Sequence, residues 1–406
     1  MVIFLLTAIS VLCTIYLYTG FQLIRPLHIS KKLKNILWAA LIICLLLCFS
    51  PFVMWIQRPE GPWIDALFRI VFFEFGLFTL LFPLVLARDF SFASFRMLKR
   101  IIHFFGKFIK RKTLTVSNKE YPSSNLLMNR KGFLINSGNA ALFGVTSSVT
   151  GYGLFHSQDP PELQKVTIYS ENLPAEFDGF KIAQISDLHV GPSIKRDYVE
   201  ETVKRLNAAG ADLIAVTGDM VDGSIDYLSR DVEALADLHA PSGLYLCTGN
   251  HEYYSGVEQW MDAFGSMGIN PLNNEHKVIK RGKGKLVIAG VTDYREGANF
   301  KGHATDPGAA IKNAPRDAMK ILLAHQPRSI FEASRVGFDL QISGHTHGGQ
   351  YFPYTYLVEF FQPYVAGLYK HENTWIYVNR GAGYWGPPQR MGIPGEITLI
   401  ELRRKV

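Results

Sequence analysis

The sequence predicts an all-α transmembrane region of about four helices over residues 1–155, followed by an α/β (α+β) domain over residues 156–406. Two observations separate them. Apolar runs near the roughly 20 residues that a helix needs to cross a bilayer all begin before residue 156. From Lys165 onward short apolar runs recur, alternating in part with helical stretches, which is the pattern of mixed sheets with helices outside. The composition, 48% hydrophobic and 13% aromatic, is high for a soluble enzyme, and the excess sits in the first third.

Residues 2–24 and 36–55 have the length and apolarity of spans, and 66–87 also qualifies although Arg69 and Glu74 interrupt it. Arg69 lies near the end of its run and can snorkel to the interface. Glu74 lies deeper and is expected to face other helices or to be protonated. A fourth run, 133–155, contains Asn136, Asn139 and several Ser, Thr and Gly, residues that suit a packed helix interface. The first run has no basic residue before it and no small-residue cleavage site after it, so it reads as a retained span.

Charge divides the chain in the same way. The net charge is +7, yet residues 156–406 hold 25 basic and 30 acidic side chains. That domain would repel a phosphate backbone, so nucleic acid is excluded as a partner. The basic residues lie between apolar runs: Arg25, Lys31, Lys32 and Lys34 in loop 25–35, and eleven Lys/Arg against Asp89 and Glu120 in loop 88–133. Loop 56–65 has Arg58 alone. Basic loops stay in the cytoplasm, so four spans place the C-terminal domain on the extracytoplasmic side of the cell membrane, and three would place it inside. Within loop 88–133, residues 96–112 put Met97, Leu98, Ile101, Ile102, Phe105, Phe108 and Ile109 on one helical face and Arg96, Lys99, Arg100, His103, Lys107, Lys110 and Arg111 on the other. This fits a helix lying on anionic lipid, or one packed under the bundle. Residues 113–132 read as a polar loop.

In the second region strands are expected at 166–169, 182–185, 213–217, 244–247, 286–291, 321–323, 340–342, 376–378 and 397–402, and helices at 197–209, 231–239 and 257–267. Cys13, Cys44 and Cys48 lie in apolar runs and Cys247 in a strand; no CxxC pair suggests a disulfide framework or metal clip. Cys247 reads as a small buried apolar residue.

Five motifs stand at the ends of these strands: Ser186-Asp187-Leu188-His189, Gly218-Asp219, Gly249-Asn250-His251-Glu252, His325, and Gly344-His345-Thr346-His347. Carboxyl ends of strands are where open α/β sheets place their chemistry. Two cations about 3.5–4 Å apart, with water between them, are the requirement of a di-metal hydrolase. Their repulsion calls for a bridging carboxylate, and Asp219 in its tight turn is the candidate. Asp187 with His189, and His345 with His347, have the i, i+2 spacing that lets both side chains reach one pocket, while Asn250 offers a neutral oxygen. A mixed N/O donor set suits Mn²⁺, Fe or Zn²⁺ better than Ca²⁺. A lone His is usually a surface residue and a Gly-Asp pair usually a turn. Five such pieces in one order argue against coincidence.

On these residues the chain resembles the calcineurin-like metallophosphoesterase superfamily, and most closely its membrane-anchored bacterial branch, whose last motif continues as Gly348-Gly349-Gln350. The resemblance covers about residues 160–402. It implies a four-layer β-sandwich flanked by helices and a metal-dependent phosphoric ester hydrolase with two divalent ions. Asp187, His189, Asp219 and His347 would hold one ion, and Asp219, Asn250, His325 and His345 the other. His251 would contact the phosphate and help to protonate the leaving oxygen.

Related enzymes include UDP-diacylglucosamine pyrophosphatases, so a lipid-linked phosphodiester or pyrophosphate is the expected substrate, with the bilayer as partner. Residues 351–361, rich in Tyr and Phe, fit either contact with the bilayer or an acyl chain, or ordinary packing. Tyr384-Trp385-Gly386-Pro387-Pro388 is a similar stretch. Two other readings stand beside the enzyme: a catalytically silent metal-binding membrane sensor or scaffold, and a transport role resting on Glu74 alone.

Overall fold

The computed structural model describes residues 2–51, 59–109 and 130–405. They divide into two compact units, residues 2–51 with 74–150, and residues 59–73 with 151–405. The short segment 59–73 thus groups with the second unit.

The helical region contains Val2–Leu23, Lys31–Leu47, Pro62–Ile109 and Arg130–Ser157. Ser30 caps the second by accepting a hydrogen bond from the Leu33 backbone N–H. Among the described residues, Leu6–Leu23 and Pro62–Phe105 are long and apolar enough to cross a membrane. Lys31–Leu47 has 17 residues, and positions 52–55 of the second expected span lie outside the described residues. Glu74 faces other helices as expected: the Tyr16 hydroxyl donates to its Oε1 at 2.7 Å and the Cys48 thiol to its Oε2 at 3.4 Å.

The loop expected from residue 88 is corrected. Residues 88–109 continue the third helix, which at 48 residues is about 70 Å long by the rise of an α-helix. The charges at 88 and 89 do not end it because they are satisfied within the unit. Arg88 Nη2 and Asp89 Oδ1 pair at 2.7 Å, Tyr18 donates to Asp89 at 2.8 Å, and Arg88 also donates to Asn139. Past that point Phe90, Phe92, Phe95, Leu98 and Ile102 are exposed, so among the described residues this stretch is not packed under the helices of its own unit. Residues 110–129, with most of the expected polar loop, lie outside the described residues.

The second unit holds two six-stranded sheets. The strands are β1 (Glu162–Ser170), β2 (Lys181–Ile185), β3 (Leu213–Val216), β4 (Leu244–Leu246), β5 (Ile269–Pro271), β6 (Glu275–Arg281), β7 (Gly284–Gly290), β8 (Met319–Leu323), β9 (Leu340–Ser343), β10 (Gly367–His371), β11 (Thr374–Val378) and β12 (Glu396–Arg404). One sheet runs β1-β12-β2-β3-β4-β5 and the other β10-β11-β9-β8-β7-β6. Strands β2 to β5 are mutually parallel, as are β7, β8, β9 and β11.

The period-2 alternation of a strand sends neighbours to opposite faces, and the core shows it. Ile182, Leu213, Ala215 and Ile400 of one sheet pack against Leu286, Ile288, Ile321, Leu340 and Ile342 of the other. The intervening Ala183, Ile185, Ile214 and Val216 turn outward onto helices through Val203, Leu206, Trp260 and Phe264. On the far side Ala289 and Leu322 meet Ala310, Ala333 and Phe338. The result is the expected four layers: helix, sheet, sheet, helix. Each fully buried large apolar side chain contributes about 2 kcal/mol, and Cys247 is one of the small buried members between the sheets.

Helices Arg196–Ala208 and Val257–Ser266 match expectation. The helix expected at 231–239 instead covers Ile225–Val232, and a 3₁₀ turn follows at Glu233–Asp237. Its start is set by Ser224, whose hydroxyl oxygen accepts from the Tyr227 N–H.

Candidate metal centre

Because β2, β3 and β4 are parallel, and β8 and β9 likewise, the motifs leave each sheet at one end. Backbone hydrogen bonds lock these exits together. Asp187 N donates to Gly218 O at 3.0 Å, His189 N to Asp219 O at 3.1 Å, and Gly344 N to His325 O at 3.0 Å. Gln184 joins the two sheets from inside, donating to Thr217 Oγ1 and Ser343 O. Two motif glycines are required by space. A Cβ on Gly249 would overlap the Asp219 carboxylate, and one on Gly344 would overlap Ser186 and Asp187.

Nine described non-glycine residues have positive φ, and five of them are Asp187, His189, Asp219, His345 and His347. A left-handed conformation costs a side-chain-bearing residue energy and persists where its surroundings enforce it, commonly at functional sites. Here it turns consecutive side chains of a strand end into one cavity.

Six of the seven residues singled out from the sequence gather in two groups. Asp187, His189 and His347 form one group in which donor atoms lie within 4.8 Å of one another, and Asp219, His325 and His345 form another. His189 Nε2 is 3.1 Å from His347 Nε2, and His347 Nε2 is 3.5 Å from Asp187 Oδ1. In the second group His325 Nε2 lies 3.0 Å from Asp219 Oδ2 and 3.1 Å from His345 Nδ1. Asp219 also reaches toward the first group, with His189 Nε2 at 4.0 Å from Oδ2. Asn250 begins the helix Asn250–Ser255 directly after Gly249.

The outer faces of these groups are pinned. His325 Nδ1 donates to the Thr217 carbonyl at 2.7 Å, which presents Nε2 to the cavity. The His345 backbone N–H donates to both oxygens of Asp187 at 3.0 Å. Asp222, which the sequence reading missed, pairs through one oxygen with His189 Nδ1 at 3.1 Å and with His251 Nδ1. Such outer partners set the tautomer of a metal-binding His. Glu252 accepts from the N–H groups of Gly249, Asp219 and Met220 at 2.7, 2.9 and 2.7 Å, so one carboxylate ties two motifs together. Arg390, also unforeseen, is buried and donates to the carbonyls of Gly383, Gly381 and Arg380 beside His347.

Charge in the cavity is strongly coupled. Burial opposes a charged His325, yet Asp219 holds its pKa well above the ordinary imidazole value. Burial likewise opposes the Asp219 carboxylate, and His325 and His251 keep its pKa well below the usual range. Burial and then His325 push His345 down to about 4. Burial followed by His189 and Arg390 push His347 well down. The negative charge that retains a proton on His325 would equally retain a cation, because binding a metal displaces protons from its ligands.

A divalent cation pair fits these residues. Asn250 Oδ1 is buried with no hydrogen-bond partner among the described residues, although a buried acceptor normally has one. Facing imidazole nitrogens, two carboxylates and an amide oxygen make the N/O donor set of Mn²⁺, Fe or Zn²⁺.

The calcineurin-like phosphoesterase model matches residues 180–349. A transmembrane protein with metallophosphoesterase domain from Danio rerio is 35% identical over 268 residues, which cover 64% of this chain and 61% of that protein. A metallophosphoesterase of Helicobacter pylori is 37% identical over 276 residues, covering 66% of this chain and 71% of its own length. One from Aquifex aeolicus is 34% identical over 269 residues, covering 66% and 98%. The chain belongs to the calcineurin-like metallophosphoesterases, a class of metal-dependent phosphoester hydrolases with a binuclear metal centre.

Proposed function

We propose that this chain is a membrane-anchored, binuclear-metal-dependent phosphoesterase that hydrolyses a phosphodiester or pyrophosphate bond in a lipid-linked substrate, of which a UDP-diacylglucosamine-like compound is the type. The observation that carries the reading is the adjoining donor groups Asp187–His189–His347 and Asp219–His325–His345, with Asp219 Oδ2 4.0 Å from His189 Nε2 of the first. Asp187, His189, Asp219 and His347 would hold one ion, and Asp219, Asn250, His325 and His345 the other, with Mn²⁺ the first metal to test. Two such ions would activate water and neutralise phosphoryl charge. His251, with Nε2 3.9 Å from Asp219 Oδ2, would donate a proton to the leaving oxygen. Asp222 orients it from the opposite ring nitrogen.

The lipid-linked substrate is supported by the surface next to the site. Tyr354, Tyr356, Phe360 and Phe361 are exposed, Phe360 to 81%, which disfavours the ordinary-packing alternative. Trp385 is half exposed and its ring lies 5.8 Å from that of His251. Gln350 fastens this loop, donating to the carbonyls of Trp385 and Pro387 and accepting from Trp385 N. An aromatic surface at a membrane-tethered site suits an acyl chain. Purified protein with Mn²⁺ is expected to cleave a vesicle-embedded lipid pyrophosphate faster than a soluble aryl phosphodiester. Equal or slower cleavage in vesicles would remove the lipid from this proposal.

We further propose four spans, a multi-pass anchor over residues 1–155, and a catalytic domain on the extracytoplasmic side. Loop charges favour it, and so does the packing of residues 59–73 with residues 151–405. Residues 59–65, which precede the third span, then share a side with the catalytic domain, which requires helix Arg130–Ser157 to cross back. Cysteines placed at position 60 and at the C-terminus are expected to react together with an impermeant thiol reagent applied from outside intact cells. Labelling of one without the other would refute this topology.

A further inference from the structure

Residues 59–73 belong to the second unit and bond to its loops at 192–195 and 224–227. Glu60 accepts two hydrogen bonds from Ser224, from the backbone N–H at 2.7 Å and from the hydroxyl at 2.6 Å. Asp65, which is buried, accepts from the Tyr227 hydroxyl at 2.6 Å and pairs with Lys195 Nζ at 3.0 Å. Arg69 Nε donates to Pro192 O at 3.1 Å. A Cβ placed on Gly386 would lie 3.5 Å from the ring of Phe72.

The loops gripped in this way are those that carry the site. Pro192 and Lys195 follow His189. Ser224 lies two residues past Asp222, the carboxylate shared by His189 and His251. Gly386 adjoins Trp385. The link from Ser224 to Asp222 has little slack: Gly223 N donates to Ser255 Oγ at 3.1 Å, its carbonyl accepts from Trp260 Nε1 at 3.0 Å, and Asp222 N donates to Val190 O at 2.8 Å. Gly191 faces Asp222 so closely that a Cβ there would overlap it. A shift of Ser224 or Pro192 therefore becomes a shift of the His189–Asp222–His251 array.

We propose that residues 59–73 form a positioning clamp for the catalytic site, in which Glu60, Asp65 and Arg69 fix the loops that hold His189 and Asp222, while Phe72 lies against the loop of Trp385. The clamp acts through Asp222 and touches no reacting atom. Its kinetic consequence rests on the hydrolase reading above, whereas its structural consequence does not. Misplacing reacting groups by a fraction of an ångström is costly in rate, and the clamp residues nearest solvent are the ones whose removal leaves the core untouched.

The test uses the full chain with Glu60→Ala and Arg69→Ala combined. Amide hydrogen exchange is expected to quicken in residues 190–195 and 222–227 and to stay unchanged in β8 and β9. Metal content stays at the unsubstituted level, and kcat falls about tenfold with KM within about twofold, as for lost positioning. Glu60→Gln, which keeps an acceptor for the Ser224 N–H, restores slow exchange at 222–227. On an Asp222→Asn background, Glu60→Ala costs less than about twofold more, because residues acting through one another are not additive. Unchanged exchange in both loops overturns the clamp whatever the activity, and so do fully additive losses with Asp222→Asn. No turnover by the unsubstituted protein counts against the hydrolase reading and leaves the exchange result to decide the clamp.

Discussion

Asp219→Ala is expected to lower metal-dependent hydrolysis by on the order of a thousandfold or more, the scale set by losing a preorganised charge at the reacting centre. The carboxylate sits where both donor groups need it. Its Oδ2 lies 3.0 Å from His325 Nε2 and 4.0 Å from His189 Nε2, and its Oδ1 accepts from the His251 N–H at 2.8 Å. Alanine removes the shared negative charge between two proposed cations, so the variant should bind fewer than two ions per chain. It also leaves the His251 backbone N–H without its acceptor. Elemental analysis and turnover on one sample, with circular dichroism to show a retained fold, check the prediction. Full turnover with two ions bound would show that Asp219 is not the shared ligand.

The candidate ligands are legible in the sequence because each pairs a donor side chain with a strand end, and apolar runs mark the strand ends. Their supports are not. Asp222 lies three residues beyond Asp219 in a stretch whose neighbours Met220 and Val221 are buried, and nothing in its own residue type separates it from a turn carboxylate. Arg390 is buried with no carboxylate partner among the described residues and donates to backbone carbonyls, a bonding pattern that only folded geometry reveals. Strands β6 and β10 escaped because they are polar edge strands. Glu275, Lys280 and Arg281, and Tyr369 and Lys370, face solvent, so the hydrophobic alternation is weak. The third helix was cut short at Ala87 because Arg88 and Asp89 read as the end of a span, whereas Tyr18, Asn139 and their own pairing absorb both charges. By sequence, segment 59–73 is the end of a loop and the start of a span, since hydropathy reports the solvent a segment prefers and says nothing of hydrogen bonds made more than a hundred residues away.

The His251→Ala variant should keep both ions yet lose turnover by about 100- to 1,000-fold, the range for removing a positioned proton donor or charge-stabilising group. His251 lies outside the two donor groups built on Asp187 and Asp219. Its Nδ1 is held by Asp222 and its ring stands between those of Tyr254 and Trp385, with centroids at 5.2 and 5.8 Å. Burial works against a charged imidazole there, but Asp222 and Asp219 outweigh it and raise the pKa to about 9. The raised value suits the ring to give a proton to an oxygen that leaves poorly as an alkoxide. The same chemistry fixes the discriminating measurement. A substrate with a p-nitrophenolate leaving group needs little protonation, so the loss on His251→Ala should be much smaller there than on an alkyl phosphodiester. If the two substrates lose rate equally while both ions remain bound, His251 serves the phosphoryl oxygens alone and does not protonate the leaving group.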